Sequence, residues 1–98
     1  MTFDEFRAST TGPRPPSALT PALLALWHDG RGDWQAAHQV AQDIEGPDGA
    51  WIHAYLHRKE GDVANAGYWY RRAERAQCRE SLDTEWASIV TVMLAAAS

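Results

Sequence analysis

The side chains with the widest chemical reach in this chain are its histidines. His53 and His57 stand four residues apart in "AWIHAYLHRKE", so on a helix they project from one face. A pair so spaced can offer two imidazole nitrogens to a metal ion. His38 falls on the preceding helical segment, and His28 lies 29 residues before His57, so four histidines can in principle converge. The pair lacks the adjacent glutamate of an HExxH zinc motif, and histidines between helices also serve as hydrogen-bonded packing residues. The metal expectation therefore rests on His53 and His57, with no further cofactor implied.

Other chemistry is thinner. The single cysteine, Cys78, sits among Arg75, Arg79 and Glu80, where arginines can lower a thiol pKa, but no motif sets a base beside it. No catalytic residue is assigned, and enzymatic activity stays open. The glycines of "DGRGD" and "GPDG" follow no strand, so they imply turns and not a phosphate loop. Six of the nine basic residues lie between Arg58 and Arg79, against three acids in that stretch, a local surplus of three positive charges. A solvated helix face accounts for that surplus, and so does an anion-binding surface. The net charge of −4 argues against a dedicated nucleic-acid binder.

The elements that must position these residues are helices. Thr2 precedes Glu5 by three residues, a capping-box spacing. Thr20-Pro21 is a cap followed by proline at the first helical position. Asp33 caps "WQAAHQVAQDI", Asp62 caps "VANAGYWYRRAERA", and Ser81 caps a last helix with Leu82, Trp86, Ile89, Val90 and Met93 inward. "EGPDG" reads as a turn before a central helix starting near Ala50. The three prolines of "TGPRPPS" predict a loop or arm over residues 10–18. No segment alternates with period two. The reading is an all-α fold of five to six helices in one domain over residues 1–98. No apolar run approaches the ~20 residues of a membrane span. The acidic N-terminus is not a secretory signal, and one cysteine fits a reducing, cytoplasmic setting.

A shift of 29 residues superposes Ala25-Leu26-Trp27-His28 on Ala54-Tyr55-Leu56-His57, Gly32-Asp33 on Gly61-Asp62, and Ala37 on Ala66. Each copy is a helix, a Gly-Asp turn and a second helix. "AYLHRKEGDVANAGYWYRRA" resembles the helix–turn–helix core of the tetratricopeptide and Sel1-like repeats: Ala54, His57, the turn Gly61-Asp62, then Ala66, Tyr70 and Ala73. The resemblance covers about 20 residues well. Residues 22–44 match less well, with Ala41 where a large aromatic is expected, and 29 is shorter than the usual ~34. It implies stacked antiparallel hairpins with the last helix as a cap. It also implies that the first helix of the pair lines a concave side, where Trp51, Tyr55, Arg58 and Lys59 share one face.

Aromatic anchors with basic neighbours suit a peptide or a carboxylate-bearing ligand. The expected function is thus a non-enzymatic protein- or peptide-interaction module, with homo-oligomerisation possible and no membrane or nucleic acid involved. The alternative is a small-molecule or metal-binding protein using the His53/His57 face. Trp69 is not required by the hairpin, which makes it a further candidate for ligand contact. Gly67 in mid-helix predicts close approach of another segment, the arm 11–17 being one candidate.

Overall fold

The computed structural model describes residues 1–97 and contains six helices, with no strand among the described residues. They are α1 (Phe3–Ser9), α2 (Pro21–Gly30), α3 (Trp34–Gln42), α4 (Pro47–Lys59), α5 (Val63–Arg72) and α6 (Leu82–Ala97). Thr2, Thr20, Asp33, Asp62 and Ser81 each accept a backbone N–H from the first turn of the helix that follows, as their residue types predict. No helix is long and apolar enough to cross a membrane, among the described residues.

α2 with α3 and α4 with α5 form two helical hairpins, and α3 against α4 joins them. The two connecting turns are built alike. Gly32 and Gly61 both take the left-handed conformation, with φ of 86° and 90°. After them the N–H of Asp33 reaches the carbonyl of His28, and that of Asp62 the carbonyl of His57, each at 2.9 Å. Only glycine holds that φ without a Cβ penalty, and each aspartate then starts the next helix. Ala37, Ala54 and Ala66 are buried in these hairpins, where a small side chain lets backbones come close. α6 lies across α2 and α4, and α1 fills the remaining side against α2 and α6. Trp86 fixes α6 there: its indole donates to the Leu26 carbonyl at 3.0 Å, and its ring meets those of Phe3 and Phe6.

Several local expectations change. The segment read as the turn "EGPDG" is largely helix, because α4 starts at Pro47. Proline suits that first position, and Gly49 lies so close to Ile44 that an added Cβ would meet the Ile44 carbonyl oxygen at 2.1 Å. Its glycine is there for packing inside the helix rather than for a turn. α5 stops at Arg72, earlier than its sequence suggests, because Glu74 turns left-handed at φ 58° and Arg75 donates back to the Tyr70 carbonyl. A non-glycine residue in that region costs roughly 1–2 kcal/mol. Val63, the first residue of α5, is 65% exposed, outside the buried stripe of Ala66 and Tyr70. Gly67 faces the Gln77 side chain from the segment after α5, and the arm is elsewhere. The arm residues Thr10 and Gly12 give their carbonyls to Arg31, while Trp27 donates to the Ser9 carbonyl.

Candidate metal centre

α4 turns two chemically different faces to the rest of the protein. One carries Trp51, Tyr55, Arg58 and Lys59 toward α2 and α6. The other carries His53 and His57 toward α3 and α5.

On the first face every polar end has an internal partner. Glu85 of α6 is only 2% exposed, and it accepts the Tyr70 hydroxyl at 2.6 and 2.8 Å, the Trp51 indole N–H at 3.2 Å and the Arg58 guanidinium at 2.8 Å. Arg58 donates a second time, to the Glu80 carbonyl. Asp29 of α2, also buried, accepts the Tyr55 hydroxyl at 2.7 Å and the Lys59 ammonium at 2.9 Å. Burial, with Asp29 beside one phenol and Glu85 beside the other, pushes the pKa of Tyr55 and Tyr70 upward, so both remain neutral donors. The sequence-predicted ligand face is therefore a pair of carboxylate hubs that tie α4 to α2 and α6. Arg75 covers Trp51 from outside, its guanidinium carbon 3.4 Å from the ring centroid.

The second face gathers histidines from two hairpins. His38 of α3 joins His53 and His57 of α4, with ring centroids 4.8, 5.3 and 5.5 Å apart across the three pairs. One ring nitrogen from each lies within 4.8 Å of the other two. Trp34 stacks on His38 at 4.9 Å and 11°, and Trp69 of α5 packs against His53 at 4.2 Å. Indole walls thus line both ends of the cluster. Among the described residues, His53 Nε2 is the one buried side-chain nitrogen or oxygen without a hydrogen-bond partner. Leaving such an atom unpaired costs about 1–3 kcal/mol.

Electrostatics favour the neutral form of two of these rings, His53 and His38. Burial, then the neighbouring His38 and His57, lowers the His53 pKa to about 4. Burial, then His57, also lowers His38, against a smaller opposing pull from Glu60. Neutral imidazole is the form that binds metals. His57 is oriented from behind: its Nδ1 lies 2.7 Å from the Glu60 carboxylate, to which an Nδ1–H donates, leaving Nε2 on the side away from Glu60. A carboxylate behind a histidine is the usual support for a metal-binding imidazole. The amide of Asn65 stands 3.5 Å from Nε2, too long for a strong bond.

The geometry is near, though not at, coordination distance. Neighbouring ligands around a tetrahedral ion with bonds of about 2.0–2.1 Å lie roughly 3.3 Å apart, so binding asks for ring movements on the order of 1 Å. His28 stays outside the cluster and meets the edge of Trp27. Cys78 is half-buried and shares a shallow cavity with Arg75 and Glu80. His38 is the cluster member that spacing alone does not assign, since the period of α3 says which residues share a face but not which helix that face meets.

No protein-family model matches this chain, no curated protein matches it, and no solved structure matches it.

Proposed function

We propose that the chain is a small helical metal-binding protein in which His38, His53 and His57 hold one divalent transition-metal ion. The observation that carries this reading is the buried Nε2 of His53, unpaired among the described residues, on a ring grouped with those of His38 and His57, one nitrogen of each lying within 4.8 Å of the others. Buried polar atoms are nearly always satisfied, and an unsatisfied one asks for an explanation. A cation accepting three nitrogen lone pairs supplies it. Imidazole ligands suit zinc, copper, nickel and cobalt rather than magnesium or calcium. Three protein ligands leave a position for water or a further ligand, so a small-molecule role at the same ion is compatible with this reading.

Cobalt(II) titration of the purified, metal-stripped chain at pH 7.5 tests it directly. Saturation at one ion per chain, with visible bands of a low-coordinate site, is expected, and His53→Gln should remove them. Wild-type protein that shows no saturable cobalt or zinc binding in the micromolar range refutes the reading.

The alternative of a protein- or peptide-interaction module, with hairpins of tetratricopeptide type, draws less from the geometry. Its proposed anchors Tyr55, Arg58 and Lys59 are engaged by Asp29 and Glu85, and the Trp51 indole is bonded to Glu85. Trp69 remains half-exposed, packed on His53 with the Arg72 guanidinium over its ring at 5.3 Å.

A further inference from the structure

A second feature stands apart from the histidines. An open cavity of about 630 Å³ lies where α2, α3 and α6 meet the start of α4. Its floor is apolar, formed by Ala22, Val40, Ile44 and Met93. Its rim carries Asp43, Glu45 and Asp48, and among the described residues no lysine, arginine or histidine lines it. Volumes of 300–1,000 Å³ with an apolar lining and a few placed polar groups are typical of small-ligand sites.

The charge at this rim faces solvent and has no protein counter-ion among the described residues: Asp43, Glu45 and Asp48 are all exposed. None of the three carboxylates has a hydrogen-bond or ion-pair partner among the described residues. Asp48 has a local role, since it sits in the first turn of α4, where an anion is favourable. Asp43 has the opposite setting. It caps the C-terminus of α3, the negative end of a helix, and that helix has no basic residue in its last turn. α6 also ends at the cavity, through Ala96 and Ala97, again with no basic residue in its last turn. The start of α2 adds a positive end, already occupied by the Thr20 hydroxyl. What remains is a net negative rim over an apolar floor, and low-dielectric walls concentrate such a field.

We propose that this cavity binds an apolar ligand with a single cationic head, of which an alkylammonium is the simplest member. The tail covers Val40, Ile44 and Met93, and the head lies between Asp43 and Glu45. This site is independent of the metal reading and stands or falls without it.

Three probes of equal chain length separate the contributions: octylammonium, 1-octanol and octanoate, each below its aggregation threshold. The chain has two methionines, Met1 and Met93, so the Met93 methyl resonance is a simple reporter of the floor. Octylammonium should shift it saturably with a Kd at least tenfold below that of octanol, and octanoate should bind more weakly still. Raising the salt should erode the preference. The double change Asp43→Asn with Glu45→Gln should bring octylammonium to the level of octanol while leaving octanol binding as it was. The proposal is overturned if octanol binds as tightly as octylammonium, or if no probe moves Met93. It is equally overturned if the Met93 shift tracks protein concentration without ligand, which would assign this face to a second copy of the chain.

Discussion

The two faces of α4 bury comparable polar chemistry and resolve it in opposite ways. Toward α6 and α2, two buried carboxylates receive five donor side chains, and nothing is left over. Toward α3 and α5, three imidazoles crowd together and one buried nitrogen has no hydrogen-bond partner among the described residues. A saturated network explains itself, because its members hold the helices in place. An unsaturated one at equal burial costs stability that the fold does not recover from within the protein. That difference, rather than residue type, is what sets the two faces apart, since the sequence offered both Trp51, Tyr55, Arg58 and Lys59 as a ligand face and His53 and His57 as a metal pair.

The strongest way to break the contrast is at its saturated side. Glu85→Ala strands Tyr70, Trp51 and Arg58 in the interior at once, and removal of one partner from a buried ionic network costs about 3–5 kcal/mol. Circular-dichroism melts should show a chain unfolded or barely folded at 37 °C. A melting midpoint near that of wild type would mean that Glu85 is not the hub.

Arg58→Glu with Lys59→Glu attacks the same network from its rim. It places new carboxylates beside Glu85 and Asp29. As free surface cations the two should be replaceable at little cost, whereas as ion-pair partners of buried acids they are not. A loss of about 2–4 kcal/mol in urea titrations is expected, somewhat under the full cost of stranding a buried charge because Lys59 is partly solvated. A change within about 0.5 kcal/mol would restore them to the surface.

On the unsaturated side the sign reverses. His53→Phe removes the orphaned nitrogen and keeps a flat ring against Trp69, so the metal-free protein should gain stability, by about 1–3 kcal/mol at most. Destabilisation would show that the imidazole has a bonding role in the fold.

The smallest effect is in pH. With its folded pKa near 4 against about 6.5 unfolded, His53 binds fewer protons in the native state between these values. Its contribution leaves stability unaffected above about pH 6.5, and lowers it progressively as pH falls from there toward 4. His38 acts in the same direction. Urea midpoints at pH 7.5 and 5.0 should therefore differ more in wild type than in His53→Phe. Equal slopes would indicate that the ring is solvated enough to protonate freely.

Much of this architecture was legible in the chain. The caps at Thr2, Thr20, Asp33, Asp62 and Ser81 are local chemistry, as are the twin Gly-Asp turns, and local chemistry survives folding. What was illegible was pairing across distance. Arg58 meets Glu85 27 positions away, and Lys59 meets Asp29 30 positions away, so periodicity shows both cations on a face without their acids. Glu85 did carry a signal. It falls three after Leu82 and four before Ile89, which puts a carboxylate on the inward stripe of α6, where an acid must have partners. The start of α4 was missed because Gly46, Pro47, Asp48 and Gly49 carry turn chemistry, while the close approach that Gly49 permits is tertiary. His53 and His57 were readable as a pair. The third histidine and the missing hydrogen bond depend on how one hairpin sits on the other.

The indole walls of the histidine cluster have a photophysical consequence. Trp34 lies on His38 at 4.9 Å and Trp69 on His53 at 4.2 Å between ring centroids, so each indole touches a ring proposed to hold the ion. Excited indoles at that range lose their energy readily to copper(II) or cobalt(II), whose d shells are incomplete, and hardly at all to zinc(II), whose d shell is full. Two of the five tryptophans would thus darken with one class of ion and stay bright with the other. The ultraviolet emission of the unlabelled chain would then report not only that the cluster is filled but what kind of ion fills it.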